Sequence, residues 1–144
     1  MTRAWTVGRV LGLLLLLPCC AAAGEPADAQ PQRVTVRLME YRYEPARIVL
    51  KAGREAELTL INSGTVVHEF VTEALQNTEV NVEINGVVTE TLGVAEVEIP
   101  PRSTVVLRFS LDKAGDFQVA CHAMQPRDHF KTGMIGTLVV KPDR

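Results

Sequence analysis

Residues 121–134 read CHAMQPRDHFKTGM and lie between two short runs, 117–121 and 136–141, in which apolar and polar residues alternate. Alternation with a period of two is the pattern of a half-buried β-strand. Because successive side chains point to opposite faces of a strand, Cys121 shares the apolar face of the first run. The segment is therefore predicted to be a loop that joins two strands and begins at an inward-pointing thiol.

The same alternation recurs along most of the chain from residue 33 onward, and turn-forming residues separate the runs. The further runs are 33–38, 48–50, 56–60, 66–70, 94–99 and 105–111. Asn85-Gly86 predicts a hairpin over 82–89, since this dipeptide tolerates positive φ at both central positions. Residues 72–78 are long enough for a single turn of helix. Seven or eight short strands predict an all-β fold, a Greek-key antiparallel β-sandwich.

The first 23 residues have the order of a secretory signal peptide. Arg3 and Arg9 lead into an apolar run over 10–17, and alanines follow at 21–23. This is a basic region, a short apolar region and a small-residue cleavage site. An apolar run of this length is too short for a bilayer core, which takes about 20 residues in a helix. We therefore expect an exported protein, located in the periplasm.

After the signal peptide we expect a flexible leader over 24–32 and one folded domain over 33–144. The alternative address is a membrane-tethered lipoprotein, with a lipid anchor at Cys19 or Cys20. Either way Cys121 is the one cysteine left to the domain, in a compartment that favours disulfides. An unpaired thiol there indicates a function, and the alternative is a buried, inert side chain.

Charge excludes one class of partner. The net charge of −2 becomes −4 without Arg3 and Arg9, because 13 basic residues then face 17 acidic ones. The charges are scattered, and no basic cluster of the kind that binds nucleic acid is present. We expect no nucleic-acid partner.

Three histidines accompany the thiol, and strand parity separates their predicted roles. His122 follows Cys121 directly, so its side chain points to the other face and is expected at the surface or behind a ligand. His68 shares the inward face of its run with Phe70. A single inward histidine is usually a core residue, but the chain has only three, and two lie in the 121–134 loop. His68 and His129 are therefore candidate metal ligands beside Cys121.

Two methionines are candidates for a fourth ligand. Four residues lie between His129 and Met134, and Gly133 allows the loop to turn just before the methionine. Met124 is the alternative, and filling a gap in the core is the ordinary role of a methionine. Two His, one Cys and a weak axial Met form the ligand set of blue-copper electron-transfer sites. The set therefore predicts a copper ion that exchanges single electrons.

Over residues 34–140 the chain resembles the cupredoxins, the family that includes plastocyanin, pseudoazurin and azurin. The matching segments are Tyr43-Glu44-Pro45, Lys51-Ala52-Gly53, His68-Glu69-Phe70 after Asn62, and Cys121, His129 and Met134-Ile135-Gly136. The resemblance implies a Greek-key β-sandwich with one mononuclear type 1 copper at its end. It implies His68 and His129 as imidazole ligands, Cys121 as the thiolate and Met134 as the axial thioether.

Two features depart from the family pattern. Seven residues separate Cys121 from His129, where cupredoxins usually have two to four. Loop-closure entropy grows only logarithmically, so the extra length should cost about 0.5–1 kcal/mol. Residues 72–93 also exceed what the fold needs, and the sequence leaves open whether they cover the sheet, shield the site or dock a partner.

The leading functional hypothesis is a one-electron carrier that works as a monomer with redox partner proteins. The alternative is a copper-binding or copper-handling protein without an electron-transfer role. Enzyme activity is not expected, because three histidines are too few for a multicopper oxidase and no hydrolase or phosphate-binding motif is present. Candidates for an apolar shell around the ion are Phe70, Phe117 and Phe130.

Overall fold

The computed structural model describes residues 30–143, which contain eleven β-strands and one short 3-10 turn, Glu73–Leu75. The strands are β1 (Gln32–Met39), β2 (Arg42–Glu44), β3 (Arg47–Lys51), β4 (Glu55–Asn62), β5 (His68–Phe70), β6 (Glu79–Ile84), β7 (Val87–Leu92), β8 (Val97–Ile99), β9 (Thr104–Ser110), β10 (Gly115–Ala120) and β11 (Ile135–Lys141). Within this range no helix is long and apolar enough to span a bilayer. The predicted signal peptide, the two candidate lipidation cysteines and most of the leader lie outside the described residues.

The strands form a β-sandwich of mixed sheets. One sheet has the order β2-β1-β4-β9-β6-β7, a second has the order β10-β11-β3, and β5 pairs with β8 in a separate ladder. Most neighbouring strands are antiparallel, as predicted, but β1 pairs with β4 in parallel and β3 pairs with β11 in parallel. The parallel pairs arise because the chain crosses to the other sheet at β3 before it returns as β4.

Alternating side chains from both sheets meet in one core. The large sheet contributes Val36, Leu38, Leu58, Leu60, Leu107 and Phe109, and the smaller sheet contributes Ile48, Leu50, Val119, Leu138 and Val140. Strands β1, β3, β4 and β9 show the burial period of two that their sequences predict, with the residues between the core positions facing outward. Truncating one of the fully buried leucines to alanine should cost about 2–5 kcal/mol.

The segment 72–93 extends the large sheet. After the 3-10 turn, β6 pairs with β9 and β7 pairs with β6. Asn85 and Gly86 have φ of 51° and 79°, the left-handed conformation that a two-residue hairpin turn requires. The hairpin is longer than the predicted 82–89, and β7 forms the outer edge of the sheet. The strand predicted over 94–99 is limited to β8.

Candidate metal centre

Three buried side chains converge at one end of the sandwich. Nδ1 of His129 lies 3.2 Å from Nδ1 of His68 and 3.2 Å from Sγ of Cys121. All three donor atoms lie within 4.8 Å of one another, and all three side chains have no exposed surface. Three ligand atoms at this spacing can bind a single metal ion.

Cys121 reaches the site because it directly follows β10. Val119 and Cys121 are buried while Gln118 and His122 are exposed, as the alternation of the strand requires. The backbone N–H of Glu69, in β5, donates a hydrogen bond to the sulfur at 3.2 Å. Sulfur and strand β5 are therefore held together even though 52 residues separate them in sequence.

His68 is the first residue of β5, and Asn62 determines where that strand starts. The side chain of Asn62, fully buried, donates to the carbonyls of Val66 and Ile99, both at 2.8 Å, and accepts from the N–H of Gly64 at 2.9 Å. The bonds to Val66 and Gly64 close the turn between β4 and β5, and the bond to Ile99 ties this turn to β8. The turn delivers His68 to the interior opposite Ile99, its partner in β8.

The loop between Cys121 and His129 contains an excursion, residues 124–128. A hydrogen bond closes the base of this excursion. The N–H of His129 donates to the carbonyl of Ala123 at 3.0 Å, so residues 124–128 protrude from a tight turn. Bypassing them leaves two residues between Cys121 and His129, within the two to four expected of cupredoxin loops. The backbone of Met134 then bonds to both Cys121 and His129, at 3.2 and 3.0 Å. The extra length therefore leaves the ends of the loop in place.

The excursion turns back to cover His129. Nε2 of His129 lies 3.0 Å from the carbonyl oxygen of Gln125. The ring of Tyr41 meets the imidazole edge to face, with centroids 5.1 Å apart, and the guanidinium of Arg127 lies 5.2 Å from the Tyr41 ring centroid. No part of His129 reaches solvent.

Proton placement supports metal binding by these residues. A carbonyl can only accept, so the Gln125 contact assigns the proton of neutral His129 to Nε2 and leaves the lone pair on Nδ1 facing the site. That lone pair faces both Nδ1 of His68 and the Cys121 thiol. Hydrogen bonds can satisfy this arrangement only in part, whereas one metal ion can accept electron pairs from all three atoms.

Burial controls the protonation of the site. Burial, and then the neighbouring His129, lower the pKa of His68, which favours the neutral imidazole that metals bind. Burial raises the pKa of the Cys121 thiol, although the N–H groups of Glu69 and Ala123 partly oppose that shift. Metal binding at the sulfur must therefore release a proton.

Carboxylates lie behind the buried ligands. Glu40 accepts hydrogen bonds from the N–H and hydroxyl of Thr65, at 2.6 and 2.9 Å, and these bonds lower the pKa of Glu40. Glu69 accepts from the N–H of His122 at 3.0 Å. Burial raises the pKa of Glu69, and the nearby carboxylates of Glu96 and Glu98 raise it further.

Comparison with known proteins identifies the family of the chain. A profile of the cupredoxin-like domain matches residues 10–140. The chain belongs to the cupredoxin-like domain family. It is 29% identical over 125 residues to the copper-resistant cuproprotein CopI of Rubrivivax gelatinosus, covering 82% of this chain and 73% of the relative.

Solved structures share the fold of this cupredoxin-like domain at low sequence identity. Auracyanin B superposes with a TM-score of 0.56 and 20% identity over 78% of this chain and 91% of that chain. A multicopper oxidase from Campylobacter jejuni gives a TM-score of 0.56 and 19% identity over 78% of this chain but only 30% of the oxidase. The chain thus spans less than a third of that enzyme, and the likeness concerns the fold alone.

The cupredoxin-like domain brings together His68, Cys121 and His129, the three N and S candidates from the sequence. Met134 is fully buried, whereas its rival Met124 is 62% exposed. Of the phenylalanines expected around the ion, Phe70 is buried, but Phe130 stacks on the exposed His122. The expectation for Phe117 was wrong, because that ring contributes to a cavity at the Lys113 end of the sandwich.

Sequence reasoning missed the residues around the ligands. Asn62 was named only as part of the family resemblance, and no role in the site was predicted for Gly64 or Tyr41. The signal for Asn62 was its position between an alternating strand and His68, where an amide can bond several backbone groups. The role of the Gln125 carbonyl has no sequence signal, because every residue carries that group.

Proposed function

We propose that this chain is an exported type 1 copper protein that carries one electron at a time, with His68, Cys121, His129 and Met134 as ligands. The observation that carries the proposal is the convergence of two imidazoles and one thiol within 4.8 Å in a buried site. Soft thiolate with imidazole suits copper, and a buried thioether nearby suits the weak axial position. The relative CopI is by name a cuproprotein, which supports the choice of metal.

When bound, copper would supply a one-electron couple. The chain's own residues keep the site constant between its two states. The N–H of Glu69 holds the sulfur, and the carbonyl of Gln125 holds the ring of His129. Because the ligands are buried, little solvent has to reorganise when the charge of the site changes.

The test is spectroscopic. Copper-loaded, oxidised protein should show an intense visible thiolate-to-copper charge-transfer band, and Cys121→Ala should abolish it. His122→Ala is the matched control, because it removes the exposed neighbouring imidazole and should keep the band. A band that survives Cys121→Ala would end the assignment.

A second candidate function is copper handling without electron transfer, and the name of CopI as a copper-resistant protein favours it. This function predicts binding of Cu(I), ready exchange of copper with a chelator and no reversible redox couple. Voltammetry of the loaded protein separates the two functions, since a fast reversible wave supports the carrier and its absence supports handling.

We also infer that the chain acts in the periplasm as a monomer and is not an enzyme by itself. Its three histidines leave only His122 beyond the proposed ligands, too few for the further coppers of an oxidase. Its partners would be redox proteins. A membrane-tethered form with a lipid at Cys19 or Cys20 is the alternative address, which mass spectrometry of the native protein would distinguish.

A further inference from the structure

Three carboxylates lie together on the outer side of the β5–β8 ladder, next to the metal centre. Glu69 and Glu98 are directly opposite each other in the antiparallel pair, and Glu96, just before β8, is close enough to Glu69 to interact with it electrostatically. None of the ion pairs among residues 30–143 includes any of the three. Like charges directly opposite each other destabilise a strand pair. The repulsion between these carboxylates is therefore a cost to the folded protein, which the hydrogen bond from the N–H of His122 to Glu69 offsets only at that one residue.

A shallow apolar groove adjoins these carboxylates. Glu96 and Glu98 line it together with Val82, Ile84 and Val94, between the β6–β7 hairpin and β8. Ile84 is 41% exposed, and the groove offers space for an apolar side chain from outside. Negative charge beside an apolar groove is complementary to a surface with positive charge around an apolar group.

This surface is connected to the thiol by short steps. The N–H of Glu69 donates to Sγ of Cys121, and the carboxylate of Glu69 accepts from the N–H of His122. The imidazole of His129, in contrast, is fully buried under Gln125 and Tyr41. One hydrogen bond and one residue therefore connect the sulfur of Cys121 to the surface at Glu69.

We propose that Glu69, Glu96, Glu98 and the adjoining groove form an acidic face that docks a basic partner protein, one whose Lys or Arg side chains surround an exposed apolar group. The proposal rests on the electron-carrier function proposed above. The partner exchanges electrons with the site across Glu69 and Cys121. Attraction between the two charged faces raises the rate of encounter and sets the orientation of the pair.

The first experiment needs no copper. Cytochrome c, a basic haem protein, is titrated into isotope-labelled, metal-free protein at low ionic strength while the amide NMR signals are followed. We expect the signals of Glu69, residues 96–98 and His122 to shift. Glu96→Gln/Glu98→Gln should weaken the affinity on the order of tenfold, and added salt should produce a similar loss in the wild type.

The matched control is Asp112→Asn/Asp116→Asn, which removes the same charge at the other end of β10, roughly 15 Å away along the strand. Compared at about 0.1 M ionic strength, where the Debye length is about 10 Å, it should leave the affinity within about twofold of wild type, since its charges are then screened from the acidic face. Both double variants replace exposed carboxylates by amides of the same shape, and the Glu96/Glu98 pair also relieves repulsion, so both should fold. Shifts centred on another surface, or equal losses in both double variants, would overturn the docking face.

The second experiment measures reduction of ferricytochrome c by the copper-loaded, reduced protein. A rate that falls in Glu96→Gln/Glu98→Gln and not in the control supports the docking face. Equal rates in both double variants overturn the face while leaving the carrier function intact. If the NMR shifts map to the acidic face but no electron is transferred, the docking face stands and the carrier function fails.

Discussion

Gly64 lies where a single added carbon should disturb the support of His68. An ideal Cβ at this position would lie 2.8 Å from Oε1 of Glu40, 3.1 Å from Nε2 of His68 and 3.2 Å from Oδ1 of Asn62. All three distances are shorter than ordinary van der Waals contact. Gly64→Ala therefore forces at least one of these side chains to move.

The free energy of unfolding that Gly64→Ala loses depends on the interactions that hold the neighbouring side chains in place. Glu40 has a flexible side chain, but moving it breaks two hydrogen bonds from Thr65, which are worth about 1 kcal/mol each. Their loss, about 2 kcal/mol, lies within the range of about 1–3 kcal/mol that inserting a methyl group into a packed site typically costs, so the two figures describe the same penalty. The lower entropy of alanine in the unfolded chain returns about 0.4–1 kcal/mol. We expect a net loss of about 1–2 kcal/mol, which for a domain of this size lowers Tm by about 5 °C.

The assay is guanidinium unfolding of metal-free protein, with Gly115→Ala as the control. The nearest atoms to a Cβ at Gly115 belong to the ring of Phe117 at 3.4 and 3.5 Å, an ordinary contact, so that variant should be neutral or slightly more stable. Combining Gly64→Ala with Glu40→Ala should recover part of the loss, because the shortest contact is gone. A neutral Gly64→Ala, or a double variant that loses the sum of both single costs, would refute the reasoning.

Three further predictions address the fold and the site. Asn62→Ala leaves two carbonyls and one N–H of the backbone without their partner, so it should cost about 3 kcal/mol in guanidinium unfolding, and a loss below about 1 kcal/mol would contradict the role assigned to this side chain. Met134→Leu should shift the visible spectrum and the reduction potential of the loaded protein while Met124→Leu changes neither, and the reverse pattern would move the axial ligand to Met124. The hydrogen-bonded ion pair with Arg108 lowers the pKa of Glu57, so this carboxylate stabilises the fold above its unfolded pKa and loses that contribution as pH falls through its folded pKa. Glu57→Gln should therefore lose less stability than wild type when the pH is lowered in an acid titration. Identical acid profiles of the two proteins would count against the pair.

Strand faces could be predicted because burial follows a local rule. The inward side chains of β1, β4 and β9 are those that alternation selects, and the same rule separates Cys121 from His122. The hairpin turn at Asn85-Gly86 could be predicted equally well, since a two-residue turn with positive φ at both positions has a strong residue preference. These features depend on neighbours in sequence.

Pairings between strands that are distant in sequence were harder to predict. The parallel pairing of β1 with β4 depends on the chain crossing between sheets at β3, and no local pattern records that path. Residues 72–93 show weak alternation because β7 is an edge strand with both faces largely exposed. Linking His68 to Cys121 depended on the scarcity of histidines and on the family resemblance, since the pattern of residues 66–70 fits an ordinary core histidine as well.

The bond between Ala123 and His129 bears on how related sequences are compared. It closes the base of the excursion, residues 124–128. The number of residues between the thiol and the imidazole therefore reflects the size of this excursion and not the distance between the two ligands. Two homologues whose alignments disagree across this stretch can thus hold identical coordination. Structure-based superposition on the residues at either end, rather than counting along the chain, is the sound way to group such proteins.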